Sequence, residues 1–274
     1  MRKIIITGCS SGIGAYCAHQ LKAEGWLVFA SARKPEDIAL LKQKGIEAYY
    51  MDYAEPESID TFFQKAMEHF DYELSAVLNN GGYCRAGPVE DLSVNGLRAQ
   101  FEANLFGWHN LTQKSLKVMK KQGHGRIIQV SSMLGIMPVR WLGAYVSSKY
   151  ALEGLMLSLS MELEDDNVSI SLIEPGLVVS DIGINAMPHV LKNVDLANSR
   201  HRCEFVRQLI KLKTPRSVGL FSAGPDEVYK ALRHALNSKS PKRQYYVTWM
   251  AKIMMFLKRI LPSNLFYSIV TKLN

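Results

Sequence analysis

Between Lys3 and Ser31 the chain passes from an apolar run, Ile4-Ile5-Ile6, through the string Thr7-Gly8-Cys9-Ser10-Ser11-Gly12-Ile13-Gly14, into a helical stretch to about Gly25 and out along Leu27–Ser31. A strand, tight turn, helix and second strand in that order predict two parallel strands joined by a right-handed helical crossover. The rhythm continues with a helix to about Lys44, Glu47–Tyr50, a helix over Glu57–Phe70, and Ala76–Asn79. A long helix over about Leu97–Lys121 follows, then Arg126–Ser131, a helix over about Leu142–Glu164, and Ser169–Ile173. Six such strands predict an α/β fold with a doubly wound parallel sheet. Ile4-Ile5-Ile6, Ala76-Val77-Leu78 and Ile127-Ile128 are apolar on consecutive positions, as strands covered by helices on both faces require.

After Pro175-Gly176 the pattern loosens over about 182–222, an insertion expected to overhang the ligand crevice at the strand ends. No repeat or linker divides the chain, so residues 1–274 read as one domain with an amphipathic extension over about 245–274. That extension has too many charges and a proline, Pro262, to span a bilayer, which needs about 20 largely apolar residues. Two readings stay open for it: packing on its own domain or a partner subunit, or lying in a membrane interface, basic side toward lipid phosphates.

The glycine string sits on the first strand-to-helix turn, where glycines permit a tight bend and let backbone N–H groups approach a pyrophosphate at a helix N-terminus. Its spacing is Gly-x-x-x-Gly-x-Gly, which makes Gly8, Ser10, Ser11, Gly12, Ile13 and Gly14 candidate dinucleotide ligands. Beyond the second strand, Phe29-Ala30-Ser31-Ala32-Arg33 offers no carboxylate for a ribose hydroxyl but places a guanidinium there. That suits a 2′-phosphate and predicts NADP(H) rather than NAD(H). The alternative is a surface arginine paired with Glu36 or Asp37.

Of 12 tyrosines only Tyr145 has a lysine four residues on, Lys149, and that spacing puts both side chains on one helix face. An ammonium beside a phenol favours the phenolate, lowering a pKa near 10 toward the range useful for proton transfer. Ser132, just past Arg126–Ser131, would offer its hydroxyl to a substrate carbonyl in the crevice. Ser131 beside it is expected to be structural.

Taken together and in this order, the glycine turn, Asn79-Asn80-Gly81-Gly82, Asn104, Ser132, Tyr145-x-x-x-Lys149 and Pro175-Gly176 resemble the short-chain dehydrogenase/reductase family over about residues 3–181. The resemblance implies a Rossmann-type fold of about seven strands, with Gly81 standing where alanine is usual. It implies that Asn80 and Gly81 contact the adenosine ribose and that Asp52 lies near the adenine amino group. Pro175, Gly176, Val178 and Ser180 would meet the nicotinamide carboxamide. Asn104 would hold a relay water, Ser132 orient the carbonyl, Tyr145 move the proton, and Lys149 bind the nicotinamide ribose while tuning Tyr145. More loosely, the glycine turn, Ser31-Ala32-Arg33-Lys34-Pro35 and Ile173-Glu174-Pro175-Gly176 are similar to members acting on retinoids, 17-hydroxysteroids and aliphatic aldehydes. The expected substrate is a hydrophobic aldehyde or ketone, or the matching alcohol, with Leu134, Met137, Trp141, Leu142, Met187 and Phe205 as candidate walls.

Composition narrows the alternatives. The net charge of +8 comes from residues 201–274, which hold 14 Lys/Arg against 3 Asp/Glu. A basic surface of this kind reads either as solvated lysines or as a face for phosphates or an anionic membrane surface, and no nucleic-acid partner is expected. Cys9, Cys17, Cys84 and Cys203 lack metal or disulfide spacing, so no metal site is expected and all four read as buried apolar groups in a reducing compartment. The apolar N-terminal run is interrupted too early for a signal peptide, which points to a cytoplasmic protein, with peripheral membrane contact open to its C-terminal segment, and the family resemblance implies a homodimer or homotetramer. The rival functions are a non-catalytic dinucleotide-binding sensor and a membrane-peripheral partner protein.

Overall fold

The structure is a computed structural model that describes residues 1–179, 198–213 and 222–273. Its strands are β1 (Lys3–Ile6), β2 (Leu27–Ala32), β3 (Glu47–Tyr50), β4 (Ala76–Asn79), β5 (Gly125–Val130), β6 (Val168–Pro175), the short pair β7 (Leu177–Val178) and β8 (Ser222–Ala223), and β9 (Gln244–Val247). Seven form one sheet in the order β3-β2-β1-β4-β5-β6-β9, and every pairing in it is parallel. Ile5 faces Phe29 on one side and Val77 on the other. Ile4, Ile5, Ile6, Val77, Leu78, Ile127 and Ile128 are all buried, the outcome that consecutive apolar positions predict for a sheet covered on both faces.

The helices around the sheet are α1 (Gly12–Ala23), α2 (Pro35–Gln43), α3 (Pro56–His69), α4 (Val94–Phe101), α5 (Gly107–Gln122) and α6 (Gly143–Glu162). After them come α7 (Arg202–Lys213), α8 (Pro225–Asn237), α9 (Trp249–Ile260) and α10 (Ser263–Leu273). α2, α3 and α8 each start with a proline in the first turn, where its missing N–H has no intrahelical partner to lose.

The helix expected over Leu97–Lys121 is interrupted. Ser93 caps α4 by accepting the Gly96 N–H at 3.0 Å, but Glu102–Phe106 forms one π-helical turn before α5. Single π turns inside α-helices are frequent at functional sites, and Asn104 lies within this one. α5 begins with Gly107 against the Tyr53 carbonyl and ends at Gly123, whose φ of 80° is the left-handed cap that favours glycine.

The tail also differs from expectation. Its first residues are not extension but β9, which pairs with β6 through Ile173↔Tyr245 and Pro175↔Val247. Only then do α9 and α10 fold back, burying Met254, Phe266 and Val270 against Met133 and Met137. The tail therefore packs on its own chain. Around the insertion, β7 and β8 clamp the two flanks, and Val179 N–H bonds the Ala223 carbonyl at 2.9 Å. Within it α7 buries Phe205, while Cys203 is exposed, unlike Cys9, Cys17 and Cys84. The predicted residues Ser180 and Met187, with the rest of that insertion, lie outside the described residues.

A Cβ on Gly107 would stand 2.3 Å from the Tyr53 carbonyl oxygen, backbone that cannot swing aside. Gly107→Ala should destabilise the protein by about 1–3 kcal/mol, read as a lower midpoint of urea unfolding. An unchanged midpoint would show that α5 does not depend on this approach.

Candidate active site

Because the sheet is parallel, Thr7–Gly14, Arg33, Asp52, Asn80–Gly81, Ser132 and Gly176 all follow strand C-termini and share one edge. β1 and β4 are neighbours although not consecutive, so the crossovers diverge there and leave a crevice. Thr7 closes its floor. Its Oγ1 accepts the Asn80 N–H at 2.9 Å and the Gly81 N–H at 3.1 Å, and the Tyr53 hydroxyl bridges it to Asn79 Oδ1 at 2.8 and 2.6 Å. Asn80 Nδ2 donates to the Thr7 and Gly8 carbonyls at 3.0 and 3.2 Å.

Three glycines let this turn close. Gly8 has φ +68°, and a Cβ there would lie 2.5 Å from Gly81 Cα; one on Gly14 would lie 2.3 Å from the Gly8 carbonyl. At Gly81 a Cβ would approach Gly8 N at 3.1 Å, tight but attainable, so glycine in place of alanine relaxes the junction rather than breaking it. Ser11, at the N-cap of α1, makes no side-chain capping bond, and Ser10 is exposed beside it. The first-turn N–H groups, with Gly12 at φ +59° and Ile13, lie at a helix N-terminus, where backbone donors and the helix dipole favour an anion.

Arg33 pairs with neither Glu36 nor Asp37. Its Nη1 lies 3.3 Å from Asp52 Oδ2, and its side chain is 59% exposed. The two adenosine-end candidates thus meet each other across the ends of β2 and β3, with the guanidinium largely exposed.

On the other side of the switch point, the Ser132 hydroxyl accepts the Leu134 N–H at 3.1 Å and lies within hydrogen-bonding reach of the Tyr145 phenol. Burial pushes the Tyr145 phenol up and Cys84 adds to that, while Ser132 opposes it. The lowering expected from Lys149 is not what opposes burial here. Lys149 Nζ sits 5.9 Å from the Tyr145 ring centre, donating to the Val130 carbonyl at 2.9 Å and resting 4.0 Å over the Trp108 ring. Burial pulls Lys149 down to about 7, against the attraction of Glu153. Asn104 is fully buried and clamps the loop after β4, accepting the Tyr83 N–H at 3.2 Å and donating to its carbonyl at 2.9 Å. Trp108, one turn further on, ties that loop to Lys149 by donating from Nε1 to the Gly81 carbonyl at 2.7 Å.

Sequence reasoning missed Trp108 and an acidic pair behind the serine. Glu153 of α6 and Glu174 of β6 are buried, and Gln244 of β9 donates to both, at 3.2 and 2.9 Å. Burial holds both carboxyls above the ordinary carboxylate range; for Glu174 the proximity of Glu153 adds to it. The signal was present, since Tyr145, Lys149 and Glu153 recur every four residues on one helix face.

Of the expected walls, Leu134 and Leu142 pack on Cys84 and Tyr145. Trp141 and Leu142 pack on Phe205 of α7, the Trp141 and Phe205 rings 5.9 Å apart. Met137 instead lies under α9 and α10. Pro175 is buried at the end of β6, with Gly176 against the Thr248 side chain and Val178 in β7.

The sequence profile of the short chain dehydrogenase family matches residues 2–190. The uncharacterized oxidoreductase YbbO of Escherichia coli is 36% identical over 263 residues, 96% of this chain and 91% of that one. The NADPH-dependent 3-dehydrocapnine reductase of Ornithobacterium rhinotracheale is 34% identical over 190 residues, 66% of this chain and 67% of that one. A short chain dehydrogenase/reductase from Burkholderia phymatum, solved in complex with NAD, superposes with a TM-score of 0.77 at 21% identity, over 94% of this chain and 92% of that one.

A carboxyl held high in the fold keeps a proton that the unfolded chain releases. The stability this contributes is fully present below the ordinary carboxylate value of 4.5 and is lost as pH rises toward the folded value. Glu174→Gln keeps an acceptor for Gln244 but cannot ionise. Its unfolding free energy should fall less between pH 6 and pH 8 than that of wild type, by up to about 1.4 kcal/mol per pH unit. The opposing titration of Lys149 is common to both proteins. Parallel pH profiles would rule out a retained proton on Glu174.

Proposed function

The chain belongs to the short chain dehydrogenase family, and on that premise we propose that it reduces a hydrophobic aldehyde or ketone to the alcohol with NADPH, or runs the reverse. It is an oxidoreductase using a nicotinamide dinucleotide; the phosphate preference, substrate class and individual residue roles are what the proposal adds. The observation behind it is the convergence of Ser132, Tyr145, Lys149 and Asn104 beside a glycine turn built for a pyrophosphate, at one sheet switch point.

The bound nicotinamide supplies the hydride. Gly8, Ser10, Ser11, Gly12, Ile13 and Gly14 hold the pyrophosphate at the α1 N-terminus, while Asn80, Gly81 and Asp52 border the adenosine. Arg33, whose side chain is exposed beside Asp52, would hold the 2′-phosphate through a charge-assisted contact. Pro175, Gly176 and Val178 would border the nicotinamide.

On the substrate, Ser132 donates to the carbonyl oxygen and Tyr145 delivers the proton that completes the alcohol. Lys149 holds the nicotinamide ribose, and its ammonium steadies the phenolate that Tyr145 leaves behind. Asn104 keeps the loop after β4 against the π turn and anchors the water through which the proton is replaced. Leu134 and Leu142 pack beside Tyr145, and Trp141 packs with Leu142 on the buried Phe205, apolar surroundings that suit a hydrophobic carbonyl compound; the NADPH-dependent reductase of Ornithobacterium supports the choice of cofactor.

Tyr145→Phe keeps the ring and removes the hydroxyl, and should lower kcat at least about 100-fold in an NADPH-oxidation assay over aldehydes of graded chain length, retinal and steroids. Near wild-type turnover by that variant would sink the assignment. Arg33→Ala should cost about 10- to 100-fold in kcat/KM with NADPH and little with NADH. Equal losses with both cofactors would count against the 2′-phosphate contact.

A further inference from the structure

The outer face of the C-terminal helical hairpin has no counterpart in the chemistry above. Trp249, Ile253, Phe256 and Ile260 recur at helical spacing along α9 and are 44%, 43%, 61% and 57% exposed; Leu265 and Tyr267 of α10 add 51% and 44%. These six are a third of the 18 large hydrophobic residues exposed among the described residues, drawn from about a tenth of the chain. Isolated exposed apolar groups need no explanation, but four in a row on one helix face do.

Charge decides which partner fits. Residues 249–273 contain Lys252, Lys258, Arg259 and Lys272 and no Asp or Glu. Lys252 and Arg259, seven residues apart and each one position before a stripe residue, are exposed along one edge of it, Arg259 also within hydrogen-bonding reach of the Tyr246 phenol. Lys258 points the other way, bonding the Ile136 carbonyl and lying 5.2 Å from the Tyr150 ring, so it latches the hairpin to the protein. A second copy meeting this face about a two-fold axis would bring only like charges together. An apolar stripe edged by cations alone, with a tryptophan at its start, matches an anionic lipid interface. Among the described residues no helix is long and apolar enough to cross a membrane, so the contact is peripheral.

We propose that the outer face of α9 and α10 is a docking surface for an anionic bilayer, Phe256 and Ile260 entering the acyl boundary and Lys252 and Arg259 meeting lipid phosphates. The inner face of the same hairpin packs on Met133 and Met137, the segment directly after Ser132, so docking would hold the reactive crevice one helix layer from the lipid. The surface does not depend on the proposed reaction, and binding is read without turnover.

Deleting the tail at Arg243 would also remove β9 from the sheet, so the test uses substitutions in the full chain. Wild type, Phe256→Ser/Ile260→Ser and Lys252→Glu/Arg259→Glu are sedimented with phosphatidylcholine vesicles with and without phosphatidylserine. Wild type should pellet with the phosphatidylserine vesicles and stay in solution with the neutral ones. Raising salt from about 0.1 M to about 1 M, which shortens screening from about 10 Å to about 3 Å, should weaken binding. Each basic side chain reversed should cost at least about fivefold in partition, and the apolar pair should abolish pelleting with melting temperature unchanged. No pelleting of wild type, or equal pelleting of all three proteins, would overturn the proposal. So would a wild-type dimer on gel filtration that Phe256→Ser/Ile260→Ser converts to monomer, because the face would then belong to a second copy.

Discussion

The backbone of the turn after β1 lies directly against the backbone at the end of β4, with no side chain between Gly8 and Gly81. Everything on the crevice side depends on that closeness. It lets one hydroxyl, Thr7 Oγ1, collect two backbone N–H groups and a tyrosine, and it orients the Asn80 amide toward the glycine turn. Buried polar groups are tolerable only when bonded, and this junction bonds them while leaving the α1 N-terminus open to a ligand.

From Gly81 the connection runs outward to the reactive side chains. The Gly81 carbonyl takes the Trp108 indole, whose ring receives the Lys149 ammonium, and one turn earlier Asn104 clamps Tyr83. Lys149 is thereby held against the Val130 carbonyl, with its Nζ 5.9 Å from the Tyr145 ring centre. A buried ammonium costs free energy unless charge and dipoles surround it, and Glu153, a carbonyl and an aromatic face serve that purpose. Glu174 beside Glu153 gives the serine side a second carboxyl that resists ionisation, tied by Gln244 to the last strand of the sheet.

That last strand shows how far the C-terminal residues serve the centre. β9 extends the sheet beyond β6, Thr248 caps α9 by accepting the Ala251 N–H and also backs Gly176, and the hairpin lies on the methionines after Ser132. A segment that reads in isolation as an amphipathic appendage supplies the last strand of the sheet and then a helical wall. Its buried stripe faces the domain, and its second, exposed stripe is left for another surface.

The sequence by itself determined the parallel strands, the turn and the alignment of Tyr145 with Lys149, because these follow from local periodicity, glycine spacing and the i,i+4 geometry of a helix. It also showed Arg33 at the end of β2, but not its partner, since Asp52 is reached only when β2 and β3 pair. The π turn at Asn104, the Trp108 contact, the Glu153–Glu174–Gln244 group and the placement of β9 were decided by tertiary structure. Each joins residues far apart in the chain, and burial, which sets the proton affinities of Tyr145, Lys149 and Glu174, exists only once those elements have packed.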